Sequence, residues 1–275
     1  MSWKDRAIKL NTPLAPGSMN VLLWGCFILT LLLRLWYGFY GSPVVSRDGL
    51  EYIGIIKEWE QSGQLQSCWY ISAVPFYFFR LGAYLTGDIA AGILVTNILF
   101  GTLMIFPLYG LCRAFDVKKE ISLATVFIYA VFTNFIEINA GLLRESCGLF
   151  FLISGLFCVA EGVKKDKILW WGAAGLFFVP AVFSRLEFLE INLVILLFCL
   201  LLLFFKKIKL SRLFVWAGGY LAGALISGTL FLLLLAPSPK EMLLFYDLAM
   251  FRFRVNTKSS YIEKPQNVPE YHIFH

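Results

Sequence analysis

Three short clusters of charge interrupt an otherwise apolar chain: Arg47-Asp48 with Glu51 and Tyr52, Arg144-Glu145, and Arg185-Leu186-Glu187 with Glu190 one helical turn on. A carboxylate can take the proton of an attacking hydroxyl. A guanidinium matches the oxygens of a phosphate bidentately. Together they suit a displacement in which a nucleophile is deprotonated while an anionic leaving group is stabilised. Asp48 is the candidate catalytic base and Arg144 and Arg185 are the candidate anion binders, with Arg47, Glu51, Tyr52, Glu145 and Glu187 as further substrate contacts. Plainer readings stand beside these. Acids are favoured in the first turn of a helix, so Asp48 would also serve there, and Arg185 with Glu187, or Arg144 with Glu145, would also serve as interfacial pairs. Glu51 and Tyr52 also read as surface and packing residues.

The elements that must position these groups are set by composition. A chain that is 59% hydrophobic and 15% charged cannot hide its apolar surface in one soluble core. Spanning helices need about 20 apolar residues each, and about seven runs qualify: Met19 to Tyr37, Ile89 to Cys112, Ile121 to Phe135, Gly141 to Ala160, Ile168 to Phe183, Phe188 to Phe205 and Leu213 to Ala236. The expected fold class is an all-α polytopic membrane protein. The third and fifth runs are short enough for tilt or a re-entrant path. The first run is long, follows a polar segment and lacks a small-residue cleavage site, so it reads as a span and not a cleavable signal. Arg34, near its end, reads as a snorkelling anchor.

Basic residues collect in Lys4, Arg6 and Lys9, in Arg113, Lys118 and Lys119, in Lys164, Lys165 and Lys167, and in Lys206, Lys207, Lys209 and Arg212. A seven-span path puts all of them on one side, which short basic loops mark as cytoplasmic. The acids Asp48, Glu51, Glu58, Glu60, Asp88, Glu137, Glu145, Glu187 and Glu190 fall at or near the other side. The formal charge of +6 is this topological signal and not a nucleic-acid footprint. Charged groups at membrane depth are costly and mark function by default, so the three clusters are expected to form one acidic and basic pocket on the outer face.

Residues 1–236 read as the membrane module, with one long outer loop over 38–87. In that loop, Leu50, Ile53, Ile56 and Trp59 among acidic and basic residues have the spacing of an amphipathic helix. The aromatic stretch with Phe76, Tyr77, Phe78, Phe79 and Tyr84 reads as a second, interfacial helix. Residues 237–275 turn polar and read as an outer-face tail that opens a further C-terminal region; its Arg252 and Arg254 read as headgroup contacts. Cys26, Cys112, Cys158 and Cys199 lie in apolar runs and act as small hydrophobes, and Cys68 in the outer loop has no evident partner. With two histidines, both in the final residues, neither a His triad nor a His metal cluster is expected. No cofactor is expected.

The chemistry this layout suits best is transfer of a sugar from a lipid phosphate, whose anionic leaving group already sits at the membrane interface. Here the chain resembles the GT-C membrane glycosyltransferases of family 39, the dolichyl-phosphate-mannose protein mannosyltransferases and the bacterial lipid A aminoarabinose transferases. The resemblance runs through Arg34-Leu35, Ser46-Arg47-Asp48-Gly49 and Tyr52, then Pro75-Phe76-Tyr77, Asn97, Gly101, Pro107-Leu108-Tyr109 and Arg113. It continues in Leu143-Arg144-Glu145 and Ser184-Arg185-Leu186-Glu187. It implies a GT-C-like bundle and an inverting enzyme that moves a sugar from a polyprenyl-phosphate donor to a lipid, glycan or protein acceptor on the periplasmic or lumenal face. It implies Asp48 as general base and basic side chains, matching Arg144 and Arg185, at the phosphate. Asp48 is followed by Gly49 where many relatives carry a second acid. Some relatives hold a divalent metal, but no ligand set is evident here and no metal site is expected. The implied setting is an integral multi-pass protein of the bacterial inner (plasma) membrane ahead of the endoplasmic reticulum, with membrane lipids and no nucleic acid as partners. A transporter or flippase of a lipid-linked or small polar substrate, and an inactive membrane scaffold, are the competing classes. A transporter should carry broken, polar helices at the midplane and related halves, and a scaffold should tolerate loss of Asp48.

Overall fold

A computed structural model describes residues 16–41, 47–63, 65 and 73–235. Ser46, Cys68, the basic residues Lys4, Arg6 and Lys9, and the tail with Arg252 and Arg254 lie outside the described residues. Among the described residues the chain is helical throughout, without strands. The elements are α1 (Pro16–Tyr40), α2 (Arg47–Ser62), α3 (Ala73–Thr86), α4 (Ile89–Leu103), α5 (Ile105–Ala114), α6 (Lys119–Val131), α7 (Thr133–Asn139), α8 (Glu145–Lys165), α9 (Ile168–Val182), α10 (Phe188–Phe204) and α11 (Leu210–Leu235).

Each of the seven apolar runs corresponds to helix, yet among the described residues four elements are by length and composition able to cross a bilayer: α1, the continuous α4–α5 stretch, α8 and α11. The bent pair α6–α7 makes a fifth. Helices α9 and α10, with 15 and 17 residues, fall short of the about 20 needed. Pro107 accounts for the one-residue interruption at Met104, because it has no N–H to offer the carbonyl four residues back. The third run breaks harder. Phe132 is extended (φ −71, ψ 120) and α7 turns 62° away from α6.

Four apolar clusters hold the bundle. Tyr52, Ile56, Phe76, Phe79, Ile93 and Ile98 join α2, α3 and α4. Leu152, Trp171, Phe178, Cys199 and Trp216 join α8 to α11. Met104, Ile105, Val126 and Tyr129 pack α5 on α6, and Val74, Phe100 and Cys147 tie the two halves together.

Two expectations about the outer-loop helices need correction. The buried face of α2 is Gly49, Tyr52, Ile55, Ile56 and Trp59, while Leu50 faces outward. The tyrosine ring wins this place because it meets Phe76 edge to face at 5.4 Å and Phe79 at 6.4 Å, a geometry aromatic quadrupoles favour. The aromatic helix α3 is likewise a core element. Phe76 and Phe79 are fully buried, and only Leu81, Tyr84 and Leu85 remain outside as candidate interfacial anchors.

Helices α3 and α4 form a tight hairpin. Gly87 takes a left-handed φ of +75, and Asp88 caps α4 by accepting from the Ala91 amide at 2.7 Å. Gly82 and Gly92 let the two backbones touch, since a Cβ on Gly92 would collide with the backbone of Gly82 and Ala83. Gly92→Val is therefore expected to pry α3 from α4 and cost about 1–3 kcal/mol, read as a lower melting temperature of the purified protein.

At one end of the bundle the basic turns meet. Lys164 pairs with Asp116, and Arg212 reaches Asp166 at 3.1 Å. Asp166 adopts φ 52 at the end of α8 and accepts from Trp216 Nε1 at 3.0 Å. The start of α8 lies 21 residues away, about 30 Å at 1.5 Å per residue, close to the thickness of a hydrocarbon core.

Candidate active site

The three charged clusters are far apart in sequence; the fold joins the second to the third and brings Tyr52 of the first within reach of the charges of the second. Helix α8 begins at Glu145 with Arg144 as its flanking residue, and α9 ends in the turn that carries Ser184, Arg185 and Glu187. That turn is fixed by its backbone. Ser184 and Arg185 donate their amides to Ala181 O at 3.0 Å each, and Ser184 Oγ donates to Pro180 O at 2.7 Å.

Arg185 joins the second cluster to the third. Its Nη1 donates to Glu145 Oε1 at 3.1 Å, and its Nε faces Glu187 Oε2 at 3.7 Å. The other oxygen of Glu145 is buried and has no hydrogen-bond partner among the described residues. Such an acceptor is costly to leave unmet.

The first cluster comes in through α2 and α3. Val74 at the start of α3 donates to Phe183 O at 3.4 Å, which puts this helix end against the turn before Arg185. Tyr52 packs on Phe76, two residues further along α3. Burial pushes its phenol up to about 12; the Arg144 charge lowers it, and Glu145, Asp48 and Glu51 raise it. Tyr52 thus lies within reach of the charges of two clusters. Above pH 10 the unfolded chain sheds this proton, while the folded protein keeps it until about pH 12. Stability falls across that window, and Tyr52→Phe is expected to flatten the fall in melting temperature measured against pH. Arg47, Asp48 and Glu51 are solvent-exposed on the first turns of α2.

Residues 72–232, more than half of the chain, match the model of the family described as dolichyl-phosphate-mannose-protein mannosyltransferase. The chain belongs to this mannosyltransferase family. It is a membrane glycosyltransferase of the GT-C type. No match was found among curated proteins. The part of this transferase that matches contains Arg144, Glu145, Arg185 and Glu187, whereas Arg47, Asp48, Glu51 and Tyr52 precede it.

Some relatives use a divalent metal, but among the described residues of the transferase no three His, Cys, Asp or Glu side chains converge.

Arg34 differs from its expected place. Its side chain is fully buried and does not snorkel. It donates to the carbonyls of Tyr129 and Ala130 at 3.4 and 3.3 Å and lies 4.8 Å over the Tyr129 ring. These carbonyls are the ones α6 leaves unmet by breaking at Phe132, and a cation at a helix C-terminus also suits its dipole. The residues missed from sequence are its neighbours Tyr129, Asn139 and Ser146; polar side chains inside apolar runs were the available signal.

Proposed function

We propose that this chain transfers a sugar from a polyprenyl-phosphate donor to an acceptor hydroxyl on the periplasmic or lumenal face, with inversion at the sugar. The acceptor oxygen attacks the anomeric carbon and gives its proton to Asp48. The bond from that carbon to the phosphate oxygen breaks, and its electron pair leaves with the polyprenyl phosphate. Arg185 and Arg144 stabilise the growing negative charge, which is the larger expected contribution to rate. Glu145 accepts from a sugar hydroxyl through its unpartnered oxygen once the substrate enters, and Arg47, Glu51, Tyr52 and Glu187 complete the walls.

One observation carries this reading. Arg185 is held by Glu145 across the ends of two helices, and Tyr52 feels both that Glu145 and Asp48. The resting site sets three guanidinium groups against four carboxylates, so a phosphate must take over one of the existing partners. The 3.7 Å contact of Arg185 with the exposed Glu187 is the weaker one and the one to give way.

The multi-pass protein is placed in the bacterial inner (plasma) membrane, with an amino terminus on the cytoplasmic side and the basic turns facing the same way. The proposal is tested by titrating polyprenyl phosphate, the expected product, onto the purified protein. Saturable binding that weakens about tenfold in Arg185→Gln, the scale of one lost charge-assisted contact, is expected. Equal affinity for a neutral polyprenol would oppose it.

A further inference from the structure

The turn that presents Arg144 and Glu145 is gripped from below by side chains that sequence reading passed over. Ser146 Oγ donates to Asn139 Oδ1 at 2.9 Å, Asn139 Nδ2 donates to the Tyr129 hydroxyl at 2.7 Å, and that hydroxyl donates to Gly101 O at 2.6 Å. All donors point the same way. Tyr129 spends its only proton on Gly101, so the amide of Asn139 can sit in one orientation alone. Gly101 makes the room, since a Cβ there would lie 2.5 Å from Asn139 Cγ. Arg34 holds Tyr129 from the opposite side through its backbone carbonyl and ring. From α4, Asn97 Nδ2 donates to Gly141 O at 2.9 Å and also to Leu143 O.

Arg34, Asn97 and Ser146 are 0% exposed, Asn139 1% and Tyr129 4%. Apolar side chains could fill this volume without the cost of burying polar groups. What polar groups add is direction: along the Ser146–Asn139–Tyr129–Gly101 relay each donor meets its acceptor and one geometry is admitted, while Asn97 Oδ1 and Arg34 Nε are left without a partner among the described residues. The bonds made by Asn97, Asn139 and Ser146 converge on 138–146, the segment that carries Arg144 and Glu145.

Resting on the transferase reading, we propose that Asn139 is a positioning residue: with Tyr129, Ser146 and Asn97 it sets the rotation of the first turn of α8, and so the aim of Glu145 and Arg144 at Arg185 and the substrate. It touches no reacting atom and acts through that turn.

The test uses the purified full chain in lipid nanodiscs, as wild type, Asn139→Leu and Ser146→Ala. The first variant removes the two links of the relay that Asn139 makes, to Tyr129 and from Ser146, and keeps a side chain branched at the same carbon. The second removes the hydroxyl that Ser146 shares between Asn139 Oδ1 and Ile138 O and adds no bulk, so it stays folded if the first does not. Three quantities are read: the melting temperature, hydrogen exchange of backbone amides in 140–148, and kcat and KM for release of polyprenyl phosphate from a polyprenyl-phosphate sugar. Exchange is expected to quicken about tenfold in 140–148 and not elsewhere. A kcat loss of about tenfold or more with KM changed less than about threefold is expected, the mark of a misplaced group felt in the transition state. Unchanged exchange and kcat in Ser146→Ala, or quickened exchange spread over the whole bundle, overturns the proposal. If the wild type releases no polyprenyl phosphate, the transferase reading fails, and confinement of the exchange change to 140–148 still decides whether the relay positions this turn.

Discussion

Asp48→Asn is expected to lower turnover by a factor of about 10² to 10⁴, the scale of a lost general base, while the protein inserts and folds as before. The residue is exposed in the first turn of α2 and its change leaves no cavity. Asparagine is close to isosteric, so packing against the neighbouring helices is kept and only the proton acceptor is lost. This separates the two roles of the position. Were Asp48 only a favourable acid at a helix start, the variant would lose a little stability and no activity. Rates measured in isolated membranes, normalised to the amount of inserted protein, read the difference.

Arg185→Gln is expected to cost about 10²- to 10³-fold in kcat, comparable to removing a preorganised donor aimed at developing charge. The guanidinium meets Glu145 and Glu187 with two different nitrogens, so its plane is set before substrate arrives. Arg185→Lys keeps the charge and loses the fork, and an intermediate rate is expected from it. The loss should appear in kcat more than in KM, because the leaving phosphate gains negative charge as the bond breaks. Glu145 loses its partner in the glutamine variant, so melting temperatures belong beside the rates.

Much of the architecture follows from run length. Twenty apolar residues in a row have few alternatives to a helix in lipid, and all seven runs are helical. Periodicity was a poorer guide to faces. In α2 the series Leu50, Ile53, Ile56 and Trp59 and the series Tyr52, Ile55, Ile56 and Trp59 both fit one helical stripe. Hydropathy prefers leucine, but rings on α3 select Tyr52 and Trp59, which meets Tyr77 at 4.8 Å. Partner surfaces of this kind are absent from a local window. Arg34 was misplaced for a related reason. A cation near a span end reads as an anchor, and its true role depends on α6 breaking about 95 residues later in the chain.

The charged clusters were legible as residues, since charge in an apolar chain stands out. Their meeting was not. Glu145 and Arg185 are 40 positions apart, and only the antiparallel course of α8 and α9 returns the second to the first. The relay beneath them was hidden because Tyr129, Asn139 and Ser146 are neutral and each alone is ordinary in a membrane helix.

The most direct measurement is made on wild-type protein reconstituted into vesicles with a labelled polyprenyl-phosphate sugar and an acceptor mixture from the same membranes. The account predicts release of free polyprenyl phosphate matched by labelled acceptor, with the anomeric configuration inverted. Passage of the intact labelled lipid from one leaflet to the other without cleavage, in correctly inserted protein, would contradict it and assign the site to transport.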